Sequence, residues 1–482
     1  ELGIADAVHF PVAFRRSLDE ASPDATRLDI VAEALRKAAR PCLMTSLTTM
    51  ASFAALASSR MSGLRQLGIY AAVGIGAAFV VSLVAMAIAL MRVDLDDDPS
   101  PQQIPLVDTF LEHVRHLLAD ARPLVVAATL VVGSLGVWGF TQLDVDTYTL
   151  GYLPDDHEVV RDHEAIEESW GPYVPLEYTV EPTGERRYES ADLLERTREF
   201  AERAEDHPRI GDSVHLEEIY RRTAGSITAD KVRSVRSRLP REVHERFVDR
   251  EEGVGRITLT AEMMSAAELR STIDELDTIA DDVFGGRAEV RAAGYLPVYA
   301  TVVDYIVDSQ IRSFLIALAL IFGLMLVWMR SVRLALISLV PNLFPVLVML
   351  GTMGAAGIAL DAATAVLAAL VLGIAIDDTI HFLHHWREAE EEGLSWRESL
   401  ERTLRRAGPA ICTTSLLLLI GFPVLMLASI KTVVYFGLLT TVAAVAAIIG
   451  DLFVLPLLLR LFPPDFTSFS NKNHGEINRR SD

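Results

Sequence analysis

Two stretches of this 482-residue chain set a carboxylate and a histidine one helical turn apart inside apolar sequence. The first reads Leu2-Gly3-Ile4-Ala5-Asp6-Ala7-Val8-His9-Phe10; the second reads Gly373-Ile374-Ala375-Ile376-Asp377-Asp378-Thr379-Ile380-His381-Phe382. An ionisable side chain in the hydrocarbon of a bilayer costs roughly 2.5 to 3.5 kcal/mol on insertion scales, so one placed twice at matching positions is expected to do chemistry. The chemistry open to a buried carboxyl is the uptake and release of a proton, and Asp377, Asp378 and Asp6 are the expected relay. Thr413, Thr414, Thr45 and Thr48, on the spans that follow the two motifs, carry hydroxyls that can meet those carboxylates. His381 and His9 follow Asp378 and Asp6 at i to i+3 and suit either a proton path or interfacial anchoring. Asp451 is a third-rank candidate, because Ser82 stands at its counterpart. A purely bridging role for the acids is the alternative, but Asn or Ser bridges helices without the insertion cost.

These residues need elements that bury them. The chain is 51% hydrophobic with a mean hydropathy of +0.30, and apolar blocks lie at 43–58, 67–91, 124–140, 314–329, 334–360, 362–382, 411–428 and 433–461. At roughly 20 residues per crossing this predicts about eight transmembrane helices. The hydrophilic stretch 142–306 holds 37 acidic against 20 basic residues, most of the net charge of −21. Such acidity suits solubility or a salt-rich setting, and no cationic substrate is read from it. Within that stretch, 176–180, 255–260 and 288–292 read as strands, and 191–206 and 266–283 as helices. Together they predict a small α+β sandwich of open strand order. Cys42 and Cys412 sit in apolar helices as small core residues, and His384 and His385 beside Trp386 read as interface residues rather than metal ligands. The sequence holds no nucleotide-binding GKS/GKT signature, no metal-spaced cluster of Cys and His, and no nucleophile elbow. Neither an enzyme nor a cofactor is therefore expected, no nucleic-acid partner is indicated, and an energy source other than ATP is favoured.

Self-similarity extends beyond the motif. After each copy comes a polar helical segment, then Pro41 or Pro409, then Thr45-Ser46-Leu47 or Thr414-Ser415-Leu416, then a long final span in which Gly68 matches Gly437. Two homologous bundles about 370 residues apart are implied. Lys and Arg in short loops mark the cytoplasmic side. The connection with Arg36, Lys37 and Arg40, its counterpart with Arg402, Arg405 and Arg406, and the tail with Arg479 and Arg480 are expected inside, and the acidic domain outside. Leu2 and Gly3 follow only Glu1, whereas Gly373 follows a whole apolar run. The chain is expected to begin inside a transmembrane helix, as a fragment of a longer protein.

The chain resembles the resistance-nodulation-division superfamily, and within it the branch of the mycobacterial-membrane-protein-large and hopanoid exporters with a sterol-sensing-like domain. The residues that carry the resemblance are the second motif, the Pro-then-Thr/Ser-Leu segments, and Gly294-Tyr295-Leu296-Pro297-Val298 leading through Ser309-Gln310-Ile311-Arg312-Ser313 into a span. It implies a polytopic α-helical membrane protein of two pseudo-repeated helix bundles, the first incomplete, with one α+β ferredoxin-like extracytoplasmic porter domain. Residues 1–92 would hold part of the fourth span with the fifth and sixth, and 93–122 a cytoplasmic linker with a surface helix. The seventh span would occupy 123–141, the porter domain 142–309, five further spans 310–462, and a polar cytoplasmic tail 463–482. The resemblance further implies an ion-driven secondary exporter in the plasma (inner) membrane, acting by alternating access. Its substrate would be hydrophobic or lipid-like and its coupling ion a proton, with sodium as the alternative. A lipid-binding sterol-sensing-like receptor and a translocation accessory of the SecD/SecF type are the rival readings. Membrane lipids are the expected partners, and a homo-oligomer or a periplasmic or outer-membrane partner is compatible.

Overall fold

The computed structural model describes residues 10–92 and 105–463, apart from positions 12, 16, 23, 226, 250, 362, 363 and 365. Two compact units form: Val145–Tyr305 is one, and the chain on either side of it makes the other. The second unit opens with α1 (Arg27–Ala55), extended by a 3-10 turn at Leu56–Ser58, and α2 (Ser62–Arg92). α3 (Pro105–Asp120) follows, with Leu111, Val114 and Leu118 buried on one stripe and the opposite face polar. α4 (Arg122–Phe140) carries Pro123 in its first turn, where a missing N–H costs nothing, and runs apolar to its end.

The unit Val145–Tyr305 contains α5 (Glu158–Trp170), β1 (Val174–Pro182), α6 (Ala191–Glu205), β2 (Ile210–Val214), α7 (Leu216–Ala224), α8 (Ala229–Arg238), α9 (Arg241–His244), β3 (Gly255–Ala261), α10 (Ala266–Phe284) and β4 (Ala288–Ala293). The strands form an antiparallel sheet of order β2-β3-β1-β4. With α6 joining β1 to β2 and α10 joining β3 to β4, this is the split βαβ topology of a ferredoxin-like fold. Strand β1 alternates, burying Leu176, Tyr178 and Val180 against Leu193, Leu194 and Phe200 of α6 and Leu276 and Phe284 of α10. Strand β2, absent from the sequence-based expectation, is short and carries Gly, Asp and Ser; pairing with β3 holds it extended. The segment α7–α9 is inserted between β2 and β3.

The chain continues in α11 (Tyr295–Met329), then α12 (Val332–Ala356), α13 (Leu367–Glu391) and α14 (Trp396–Gly421), which runs into a 3-10 turn at Phe422–Leu427. It ends in α15 (Lys431–Ile449), a π turn at Gly450–Val454 and α16 (Leu455–Leu461). Among the described residues, eight helices are long and apolar enough to cross a membrane. Val73, Leu130 and Val327 stand exposed on them, as side chains with lipid for solvent do.

The duplication is visible in three dimensions at one constant separation. Thr26 and Asp29 close a capping box at the start of α1, and Ser395 and Glu398 close the same box at the start of α14. A Cβ on Gly68 would lie 2.5 Å from the Phe53 carbonyl oxygen, and one on Gly437 would lie 2.7 Å from that of Phe422. The copies part at Pro456, whose counterpart is Ala87. Proline offers no N–H to the Leu452 carbonyl, and the helix widens into the π turn there while α2 stays regular. Between the copies, α4 and α12 cross on glycine, since a Cβ on Gly354 would sit 1.9 Å from the Gly139 oxygen. Gly354→Ala and Gly139→Ala should each cost about 3 kcal/mol or more by pushing backbone from backbone, whereas Gly323→Ala, with open space around it, should be neutral. Thermal unfolding midpoints of the purified proteins read the difference.

Candidate functional site: an intramembrane carboxylate network

Helix α13 is buried over most of its length because it packs against α1, α12, α14 and α15. The run Ala375–Leu383 is buried without interruption. Its two carboxylates therefore take their partners from neighbouring helices or from their own.

Asp378, 9% exposed, accepts from Thr414 Oγ1 at 3.2 Å and Ser415 Oγ at 3.5 Å, both on α14. Pro409 lies one turn earlier in α14. Thr414 also back-bonds to the carbonyls of Ala410 and Ile411, so its hydroxyl is shared between helix and carboxylate. Asp377 points elsewhere, as adjacent helical positions must, and its Oδ1 lies 3.7 Å from His381 Nε2. That separation is an ion-pair distance rather than a hydrogen bond.

Asp451 is 1% exposed and sits on the π turn. Its Oδ1 accepts from Thr379 Oγ1 of α13. The same hydroxyl faces Asn342 Oδ1 of α12 at 3.4 Å, while Asn342 Nδ2 donates to the Ser338 carbonyl. A hydroxyl has one hydrogen. When Asp451 is ionised that hydrogen belongs to it; when Asp451 is protonated, its own O–H can donate to Thr379 and release the threonine hydrogen to Asn342. Protonation at Asp451 is thus readable at α12 through one rotating bond.

The two copies meet at α1 and α13. Thr49 Oγ1 donates to the Gly373 carbonyl at 3.1 Å, and a Cβ on Gly373 would press on Ser52 at 3.1 Å. An apolar cavity of about 420 Å³, bounded by Phe53, Ile75, Leu370 and Leu417 among others, reaches Asp377, Asp378 and Thr414. The carboxylates therefore close one end of a largely hydrocarbon-lined space.

Several expectations are corrected. Thr413 directs its hydroxyl to the Pro409 carbonyl at 2.7 Å, because α14 turns that position away from α13; Ser415 takes the place expected of it. Thr45 and Thr48 bond carbonyls of their own helix, at Cys42 and at Met44 and Thr45, and the first-copy carboxylate they would meet, Asp6, lies outside the described residues. His381 pairs with Asp377 at i to i+4 rather than with Asp378 at i to i+3, because Asp378 is turned toward Thr414 and Ser415 of α14. Asp451, ranked third from its unmatched counterpart, lies in the centre of the polar network. Asp6 and His9 lie outside the described residues. Asn342, Thr379, Ser338 and Ser415 were not singled out from sequence, although a polar side chain inside an apolar span is itself a signal.

A duplicated helix bundle around buried carboxylates, joined to a ferredoxin-like unit, defines a polytopic membrane protein of the resistance-nodulation-division type. The chain belongs to the MMPL family, whose model matches residues 210–476. Residues 13–100 match the sterol-sensing domain of SREBP cleavage-activation. The chain is 24% identical over 232 residues, 48% of its own length, to the putative membrane protein MJ1562 of Methanocaldococcus jannaschii. It is 32% identical over 108 residues, 22% of its length, to the putative membrane protein ActII-3 of Streptomyces coelicolor. It spans 60% of the first relative and 15% of the second.

Thr379→Val should cost about 1–3 kcal/mol by leaving Asp451 without its donor, Thr379→Ser should restore most of that loss, and Thr413→Val should be close to neutral. Unfolding midpoints of the three variants check this.

Proposed function

We propose that this protein is an ion-gradient-driven secondary transporter that exports hydrophobic or lipid-like molecules by alternating access, with the proton as coupling ion. The observation that carries the reading is the burial of Asp377 and Asp378 on the helix where the two copies meet, with Asp451 buried beside it and bonded to it through Thr379, each acid facing a hydroxyl or an imidazole. Such groups hold a carboxyl in either protonation state. A hydroxyl accepts when the acid is protonated and donates when it is not, and an imidazole can donate or accept at its ring nitrogens. Moving one charge through 100 mV releases roughly 2.3 kcal/mol, enough to bias the packing of α1 against α13. The choice of proton over sodium rests on the small number of oxygens at each acid: Asp378 meets the hydroxyls of Thr414 and Ser415, and Asp451 that of Thr379.

In this reading the relay is Asp377 and Asp378 with Asp6 as first-copy counterpart, supported by Thr414, Ser415, Thr379, His381 and Asp451. The ferredoxin-like unit would lie outside the plasma (inner) membrane and the C-terminus in the cytoplasm, in keeping with the Arg-rich loops. Membership of the MMPL family supports transport rather than enzymatic turnover. A second reading, a lipid-binding receptor that does not pump, is favoured by the sterol-sensing match and by the apolar cavity.

In proteoliposomes containing the complete gene product, Asp377→Asn with Asp378→Asn should abolish gradient-driven flux of a lipid-like probe while leaving a folded, monodisperse protein. Asp451→Asn should lower flux less. Undiminished flux in the double variant would sink the transport reading in favour of the receptor.

A further inference from the structure

A second cavity, of about 350 Å³, lies beyond the relay at the far end of α13 and is built differently. Arg36, Lys37 and Arg40 of α1 line it from one side and Arg405 and Arg406 of α14 from the other, with Glu388 of α13 as its one carboxylate among the described residues. Arg36 and Lys37 are the repeat counterparts of Arg405 and Arg406. The duplication has thus brought two basic pairs to face each other across one space.

Like charges around a shared cavity repel unless an anion sits among them. The glutamates in reach do not neutralise it. Glu33 and Glu401 pair with Arg36 and Arg405 along their own helices, and Glu20 holds Lys37 from outside the cavity. Exposed pairs of this kind contribute little, roughly 0–1 kcal/mol, and leave guanidinium donors over. Glu388 meets Arg406 at 3.1 Å, and Arg40 is in no ion pair among the described residues. The rival occupant is a divalent cation on His384, His385 and Glu388, whose ligand atoms lie within 4.8 Å of one another. Five fixed positive charges lining the same space oppose it, and Glu388 is already engaged.

We propose that this cavity binds a phosphate group, and that the phosphate is the headgroup of an acidic phospholipid. The depth argues for the lipid. Arg40 is followed directly by Pro41 and the apolar run from Cys42, and Arg406 stands three residues before Pro409 and the run from Ala410, so both basic pairs lie where hydrocarbon gives way to headgroups. Pro41 and Ala38 give the wall an apolar strip, and Leu43 stands exposed one turn further in, where an acyl chain would run. His381 lines the same cavity and faces Asp377, so a bound phosphate would sit beside the innermost histidine of the relay.

The test uses the complete gene product in nanodiscs of phosphatidylcholine doped with phosphatidylglycerol, with retained lipid read by native mass spectrometry. Phosphatidylglycerol should be retained about tenfold over phosphatidylcholine, and Arg36→Gln with Arg406→Gln should lower that retention about tenfold. The charge-matched Arg333→Gln with Arg397→Gln, outside the cavity, should change it less than about twofold. If the cavity variant fails to fold, Arg40→Gln alone, exposed and in no described ion pair, should still weaken retention. Glycerol phosphate distinguishes the source: failure to displace the lipid supports a headgroup site, and displacement supports a site for the phosphate ester itself. Equal losses in the cavity and control variants, no loss in either, or zinc binding abolished by His384→Ala and His385→Ala without any phosphate retention would overturn the proposal.

Discussion

A carboxylate is kept inside an apolar helix bundle by polar partners that converge on it, and the membrane-spanning unit is organised around that need. Helix α13 carries two carboxylates in adjacent positions and is enclosed by four other helices. Short polar side chains make the contacts: Thr414 and Ser415 of α14 donate to Asp378, and Thr379 of α13 stands between Asp451 and Asn342 of α12. Close approach makes this possible. Gly373 admits Thr49 and Ser52 of α1, and Gly450 brings the π turn against the Pro341 carbonyl. With larger residues at these two glycines the helices would stand apart and the acids would face empty space or lipid.

The two copies share a scaffold and differ in chemistry. Equivalent capping boxes, equivalent glycine contacts and equal helix lengths describe one unit used twice. On that unit Asp451 replaces Ser82 and Pro456 replaces Ala87, so the second copy acquires both an additional acid and the local widening that presents it. The basic pairs are the reverse case. They are alike in both copies, and their likeness is what concentrates positive charge at the end of α13.

The matches to known families agree with this division. The sterol-sensing match at 13–100 covers α1 and α2, while the MMPL match at 210–476 covers α14 to α16, their structural copies. Two family descriptions therefore meet on one duplicated bundle. The ferredoxin-like unit falls partly within the MMPL match and keeps its own core, built from β1, β3, α6 and α10.

Much of this is legible in the order of the residues. Apolar runs of crossing length declare helices because lipid tolerates no unsatisfied backbone, and alternation in β1, β3 and β4 declares strands with one face buried. Asp377 and Asp378 stood out by the cost of their surroundings. Strand β2 did not, since its five residues owe their extension to β3. Nor did the π turn, the turning-away of Thr413, or the choice of Asp377 over Asp378 by His381. The residue order determined which segments leave water and which acids go with them, because those are properties of composition over a few helical turns. Which side chains then meet was decided by tertiary packing alone, because the bonds from Thr379 to Asp451 and from Thr414 to Asp378 join segments that only the folded bundle brings within reach.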